Sequence, residues 1–367
     1  MRSVLIILLF LHGLIHLMGF AKAFGFAEIN ALSQYISKSY GLVWLFSSLL
    51  LLSTSIVLFL KKDWWPFLAL IAVILSQLLI IIFWKDAKFG TLANILVLFV
   101  SLSGLGEYQF TKMVRKETLG ILNNTYASNL TVIQKSDAKH LPEITQKWLV
   151  NSKAFGKENL GSVRLRQKGE MKTSPDNKWM PFTAQQYFNV RNPSFVWITH
   201  VKPMPLVFMK GRDKLINGKG HMTIKLFSFI PVVNLGNNEK INSASMQRYL
   251  AEMCWFPTAA LNDHIIWQSI DQTSAKATFT IDGKSVSGIF KFTNAGEFTS
   301  FETYRYYGGG QDATLEKWFI EPKEFKEFEG IKIPYKCSVS WLLKNGKFNW
   351  LNLEITDLDY NKPFLFQ

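Results

Sequence analysis

Five ionisable side chains in the second half of the chain could move protons: His200, His221, His264, Asp263 and Glu252. A histidine or carboxylate acts as general acid or base when it lies within hydrogen-bond reach of the reacting group. These five are spread over several elements, and no spacing holds them together. Glu252, His200, His264 and Asp263 are therefore only weak catalytic candidates, and no catalytic residue is assigned. The G-x-S-x-G elbow, H-E-x-x-H and the G-x-x-x-x-G-K-[ST] phosphate loop are all missing. The stretch from Gly211-Arg212-Asp213 to Gly218-Lys219-Gly220 has glycines without phosphate-loop spacing and reads as a hairpin. Gly308-Gly309-Gly310 reads as a loop. No cofactor is expected.

A binding chemistry is easier to assemble. Arg248 and Glu252 stand four apart, so on a helix they share a face and can pair. If that face turns into a concave sheet, the pair is buried and can engage Arg212 or Asp213. Aromatic residues offer the apolar part: Trp179, Phe182, Trp197, Trp255 and Trp267, with Phe195 and Phe256 beside them. Ligand pockets are mostly apolar with a few placed polar groups, and a solid core has the same inventory. The ligand-binding candidates are thus Arg212, Asp213, Arg248, Glu252, Trp179, Phe182, Trp197, Trp255 and Trp267. His12 and His16, four apart within an apolar stretch, are weak metal candidates. Two histidines on one helical face cannot bind a haem iron from opposite sides. Hydrogen bonding to a neighbouring helix, with Gln77 or Asn94 as partner, is the competing role.

The elements that must position these groups differ sharply between the two halves. Apolar stretches at 3–20, 42–60, 66–84 and 91–106 read as transmembrane helices; the first three are near the ~20 residues a bilayer requires, and the fourth is shorter and more polar. Lys61, Lys62, Trp64 and Trp65 precede the third stretch, and Trp84, Lys85 and Lys88 follow it, as interface anchors do. Arg2 and Ala21-Lys22-Ala23 resemble a cleavable signal peptide, but the long apolar run and the spans after it favour an uncleaved helix. Arg2, Lys61, Lys62, Lys112, Arg115 and Lys116 outnumber Lys22, Lys38, Lys85 and Lys88 on the opposite side. That bias places both termini, and the globular domain, in the cytoplasm, with the chain in a bacterial inner membrane.

The formal net charge is +14. Of the 41 Lys and Arg and 27 Asp and Glu, seven and four precede residue 109, so most of the surplus belongs to the globular part. The basic residues form no blocks and accompany no nucleic-acid motif. An anionic lipid surface fits better than nucleic acid. Two cysteines, Cys254 and Cys337, exclude a disulfide framework, and free buried thiols are favoured over a single bridge.

Residues 109–138 read as a linker. Beyond it, Pro142 precedes a helix carrying Ile144, Trp148 and Leu149. Strands follow, with strict alternation in 163–168, 182–190, 195–201 and 222–226. A meander continues through 275–281, 286–292, 298–306, 336–342 and 347–358. Asn217-Gly218, Asp282-Gly283 and Asn345-Gly346 supply hairpin turns. One helix, capped by Asn242 or Ser243, runs to about Trp255-Phe256-Pro257.

That helix carries Arg248-Tyr249-Leu250-Ala251-Glu252-Met253-Cys254-Trp255-Phe256-Pro257-Thr258-Ala259, which resembles the core motif of an uncharacterised bacterial domain family. Residues 179–186, Gly211-Arg212-Asp213 and Trp267 fit the same family over about 140–360. The layout is similar to the half-barrel of LolA/LolB-type lipoprotein carriers. The resemblance implies a lipid-binding fold and carries over no activity. Such carriers work outside the cytoplasm, against the charge bias.

The expected architecture is an N-terminal all-α transmembrane four-helix region (1–108), the linker, and an α+β domain (139–367). The domain is dominated by a curved antiparallel sheet, a half-barrel covered by a helix. The expected function is membrane-anchored, non-enzymatic binding of a lipid or other hydrophobic small molecule. An enzyme acting on a membrane-derived substrate and a module docking a protein partner are the alternatives.

Overall fold

The computed structural model describes residues 2–123, 125, 131–236, 238–308 and 310–366. They form two compact units, Met1–Lys112 and Met113–Gln367.

The first unit contains α1 (Arg2–Ala23), α2 (Lys38–Phe59), α3 (Trp65–Ile82), the single turn α4 (Trp84–Ala87) and the start of α5 (Gly90–Leu122). Four of these, α1, α2, α3 and α5, are long and apolar enough to cross a membrane. Their exposed faces carry Ile7, Phe10 and Leu14 on α1 and Ile71, Ile74 and Leu78 on α3. Their contacts carry small residues and hydroxyls, including Ser47, Ser48, Thr54 and Ser76, all buried. Close approach requires this. A Cβ on Gly19 would stand 2.3 Å from the Trp44 ring, so only glycine lets α1 and α2 meet there.

α5 continues well past the expected span of 91–106, and its last turns occupy the first part of the expected linker. No proline interrupts it, and Phe110, Val114, Thr118 and Ile121, all buried, recur at helical spacing through the otherwise polar stretch. The rest of that linker holds a short 3-10 turn, Lys135–Ala138, and a bridge from Val132 to Glu158. Residues 124 and 126–130 lie outside the described residues, as does Gly309 of the glycine loop.

The second unit has α6 (Glu143–Asn151) and then β1 (Ser162–Met171), β2 (Met180–Asn189), β3 (Ser194–Met204), β4 (Val207–Ile216), β5 (Lys219–Leu226) and β6 (Ile230–Gly236). α7 (Glu239–Glu252) interrupts the strands. β7 (Ile265–Ser269), β8 (Ser274–Ile281), β9 (Lys284–Phe292), β10 (Phe298–Tyr307), β11 (Thr314–Phe328), β12 (Ile331–Leu343) and β13 (Gly346–Tyr360) complete them. All thirteen strands belong to one antiparallel sheet, in which β1 pairs with β13 and β6 and β7 form the edges. The sheet is not closed. Bulges at Arg166/Gln167, Val339/Ser340 and beside Pro322 fall in its middle strands and increase its curl.

Among the described residues, four hairpins turn on consecutive left-handed residues, the type I′ geometry that matches strand twist. Asn217-Gly218 has φ of 51° and 63°, Asp282-Gly283 50° and 71°, Glu329-Gly330 48° and 79°, and Phe227-Ser228 52° and 66°. The sequence identifies the first two. It also reads 211–220 as a hairpin, and these residues are the second half of β4, the Asn217-Gly218 turn and the start of β5. β4, β6, β7 and β11 are strands that the alternation alone does not single out.

α7 lies against β4 to β6 on one side and β8 to β10 on the other, so it spans the two flanks of the curled sheet. It begins a turn before the expected cap. Asn238 accepts from the Ile241 amide at 2.9 Å, while Asn242 accepts from the Gly220 amide on β5 at 2.8 Å. Past Glu252 the chain tightens into 3-10 turns, Met253–Trp255 and Pro257–Leu261. Those turns and α6 plug one end of the concavity, where Phe188, Tyr249, Phe256 and Phe279 are fully buried. Cys254 and Cys337 are buried free thiols.

Candidate functional site

Strand parity decides which side chains enter the concavity. The register pairs Leu165 with Gln186, Gln186 with Trp197, and Trp197 with Asp213, so these four residues share the face that α7 covers. Arg248 on α7 reaches that face. Its Nη1 donates to Asp213 Oδ2 at 2.9 Å and its Nε to Glu252 Oε1 at 2.7 Å. Glu252 Oε2 accepts from Gln186 Nε2 at 2.6 Å. The Arg248 guanidinium also lies over the rings of Trp197 and Phe195, at 4.6 and 5.1 Å. Trp197 Nε1 donates to Gln167 Oε1 at 2.9 Å, which fixes the indole in place.

Arg305 on β10 adds a second cation. It lies over Trp318 at 4.9 Å and Trp341 at 5.6 Å, with Nε donating to the Ala244 carbonyl at 3.1 Å. Burial lowers its pKa to about 10, partly offset by the charge of Asp213. Burial pushes the Glu252 carboxyl upward, against the pull of Arg248. Two carboxylates and two guanidiniums thus form a compact, balanced ionic floor. Buried charge of this kind needs its partners, because an uncompensated member costs several kcal/mol. Gln167 Nε2, Gln186 Oε1 and Trp318 Nε1 are buried on this floor and have no hydrogen-bond partner among the described residues.

Beyond the floor, the residues on the concave face are apolar and half-buried. Met171 ends β1, Met180 begins β2, Met209 lies near the start of β4, Tyr307 ends β10 and Leu343 ends β12. Antiparallel pairing brings all of these to the same end of the sheet. Each is only partly buried and packs against the core. Methionine is unbranched and polarizable, and it recurs at surfaces that accept apolar partners of varied shape. This is the end opposite the plug.

The sequence candidates divide across this frame. Asp213, Arg248, Glu252 and Trp197 meet at the floor. Phe182, 3% exposed, lies just above it. Trp255 and Trp267 are buried near the plugged end, with their indole N–H groups donating to the carbonyls of Pro334 and Ala260. They fill core. Trp179, half-buried between β1 and β2, takes the Lys172 ammonium over its ring at 4.7 Å.

Arg212 is on the other face of β4. It pairs with Glu117 on α5 at 3.1 Å and donates to the His221 carbonyl at 2.8 Å. Lys214 reaches the same carboxylate at 2.8 Å. Burial depresses the His221 imidazole, with Arg212 and Lys214 adding to the effect.

The acid/base candidates do not converge. His200 shares the outer parity of β3, away from Glu252. His264 bonds the Thr280 carbonyl through Nδ1 at 3.0 Å, and Asp263 is exposed. In the helical unit, His12 Nε2 lies 3.0 Å from Asn94 Oδ1 and 3.2 Å from Ser76 Oγ. Asn94 in turn donates to Gln77 at 3.0 Å, and His16 Nδ1 bonds the His12 carbonyl at 2.9 Å.

Met171, Met180, Met209, Tyr307, Leu343, Gln186 and Arg305 escape a reading by residue type. For β1 and β2 the signal was present in the alternation, which places Met180 and Gln186 with Phe182. For β10 and β12 only the curling of the sheet identifies the residues that face β1 to β4.

No curated protein matches the sequence. Among solved structures, the chain is similar to a LolA superfamily protein from Nitrosomonas europaea, at 14% identity and a TM-score of 0.32. That match covers 61% of this chain and 90% of the other. It is similar to a domain named for outer membrane lipoprotein sorting from Vibrio parahaemolyticus, at 11% identity and TM-score 0.34, covering 61% and 93%. A DUF1329 family protein from Desulfovibrio piger matches at 11% identity and TM-score 0.36, covering 56% and 88%. A model of a family of unknown function, DUF6920, matches residues 139–360, well over half of the sequence, and the chain belongs to that family.

Proposed function

We propose that this protein is a membrane-anchored binding protein whose half-barrel holds a lipid or other elongated apolar molecule. The observation that carries the reading is the asymmetry of the concavity. One end is plugged by fully buried aromatics, and the other presents half-buried Met171, Met180, Met209, Tyr307 and Leu343 above an ionic floor. An apolar chain would replace water along the methionines, at about 25 cal/mol per Å² of surface covered. A polar headgroup would find Gln167 Nε2 and Trp318 Nε1 as donors and the ionic floor as its electrostatic partner.

The four apolar helices support anchoring, because their exposed surfaces are apolar and their polar groups face inward, the reverse of a water-soluble bundle. The Lys/Arg bias supports an inner-membrane protein with a cytoplasmic binding domain. A reporter fused after the C-terminus, scored for cytoplasmic or external activity, tests that side.

Binding is tested on the full chain in detergent or nanodiscs by displacement of a fluorescent fatty acid. Wild type should bind it saturably. Met180→Arg should abolish binding without lowering the melting temperature by more than a few degrees. Equal binding by wild type and this variant would end the half-barrel reading.

A further inference from the structure

A cavity of about 320 Å³ opens at one end of the helical unit, lined by Arg2, Lys61, Lys62 and Asp63 with Trp65, Leu5, Leu58 and Val100. We infer that this cavity is a binding site for the phosphate headgroup of an anionic phospholipid.

The inference rests on the membrane-anchoring reading and is independent of the half-barrel. Three cations and one carboxylate leave two positive charges in excess. Among the described residues, none of the four belongs to an ion pair, so no protein counter-ion neutralises them. The cations are placed by structure rather than by chance of exposure. Arg2 holds the Leu58 carbonyl through Nε at 3.1 Å, and a second guanidinium nitrogen bonds the same oxygen. The same carbonyl accepts from the Lys61 amide at 3.1 Å, and the arginine contact leaves Nη1 to serve the cavity. Lys61 occupies a left-handed backbone position, with φ of 58°, just past the α2 cap, where glycine is the usual residue.

Below the charges the lining is apolar. Leu5 and Leu58 are buried and Val100 is partly buried, and the Trp65 ring packs where Gly104 leaves room on α5. Basic pockets between spanning helices, floored by apolar side chains, suit a phosphate with an attached acyl chain. A free phosphate would use the cations alone.

The test uses the full chain in nanodiscs of mixed zwitterionic and anionic phospholipid, with tightly held lipid read by native mass spectrometry. Wild type should retain about one anionic lipid more than the double variant Arg2→Ala/Lys62→Ala. The control Lys85→Ala/Lys88→Ala, with the same change in charge, should behave as wild type. Val100→Trp keeps every charge and fills the cavity, so it too should lose the lipid. Recovery in the membrane fraction after alkaline extraction tests insertion separately. Retention unchanged in both cavity variants overturns the site. Thermal stabilisation by millimolar inorganic phosphate in purely zwitterionic nanodiscs, lost in Arg2→Ala/Lys62→Ala, overturns the lipid in favour of a free anion.

Discussion

Arg212 and Asp213 are neighbours on β4 and serve opposite faces of the sheet. Arg212 meets Glu117 on α5 at 3.1 Å, whereas Asp213 takes the Arg248 guanidinium from α7 at 2.9 Å. One dipeptide thus ties two helices to the two sides of one strand. The period-two geometry of a strand makes this inevitable, and it separates a packing pair from a group on the floor of the concavity.

Arg248 is the keystone of the floor. Arg248→Ala leaves Asp213 and Glu252 buried without their cation and should cost about 3–5 kcal/mol. The double variant Arg248→Met/Glu252→Gln removes one charge of each sign, leaves Asp213 opposite Arg305, and should recover most of that loss. Thermal melts of the purified full chain check both. A double variant no more stable than Arg248→Ala would show that the charges do not act as one unit.

The outer pair should affect stability and leave binding alone. In a double-mutant cycle, Arg212→Ala and Glu117→Ala should couple by about 0.5–3 kcal/mol, as residues in one network do. Fatty-acid affinity of each folded variant should stay within a factor of about two of wild type. A large loss of affinity in Arg212→Ala would draw the outer face into the binding site.

Around the open end, size and charge should matter more than identity. Met209→Leu keeps the apolar volume, and a swap of this kind usually costs under about 1.5 kcal/mol. Its affinity for fatty acid should be near wild type. Met209→Lys should weaken binding at least tenfold, which corresponds to about 1.4 kcal/mol. Displacement titrations of the two variants side by side decide the matter.

The buried cysteines set an alkaline limit on stability. Burial raises the Cys337 thiol to about 12, and burial also raises Cys254 well above its ordinary value. A group whose pKa is raised by folding contributes stability that is complete below its unfolded value. That contribution is lost as the pH climbs through the folded value. The loss should therefore run from about pH 8.5 up to about pH 12. Melting temperature should fall through that window, and less steeply in Cys254→Ala/Cys337→Ala. At pH 8 neither thiol should react with a maleimide unless the protein is first denatured. Rapid labelling of native protein would contradict this.

Local rules carry much of the architecture. Four apolar stretches, two Asn/Asp-Gly turns and the alternation around Phe182–Phe188 are enough to foretell helices followed by an antiparallel sheet. Each depends only on residues close in sequence. The Arg248–Glu252 pair follows from the same logic, since four residues are one helical turn. The start of α7 was harder, because Asn242 is as good a cap by type as Asn238. Its side chain is instead drawn to the Gly220 amide, a partner 22 positions away.

What the sequence by itself determined was therefore the identity and order of the elements and the parity of several strands. The tertiary structure alone decided which aromatics fill core and which meet the floor, because Trp197 and Trp267 differ only in what the folded sheet places beside them. It also decided that Arg305, 57 positions beyond Arg248 in the chain, joins the same electrostatic cluster. A curled sheet brings two flanks far apart in strand order, β4 to β6 and β8 to β10, to a common helix, and no local pattern records where they converge.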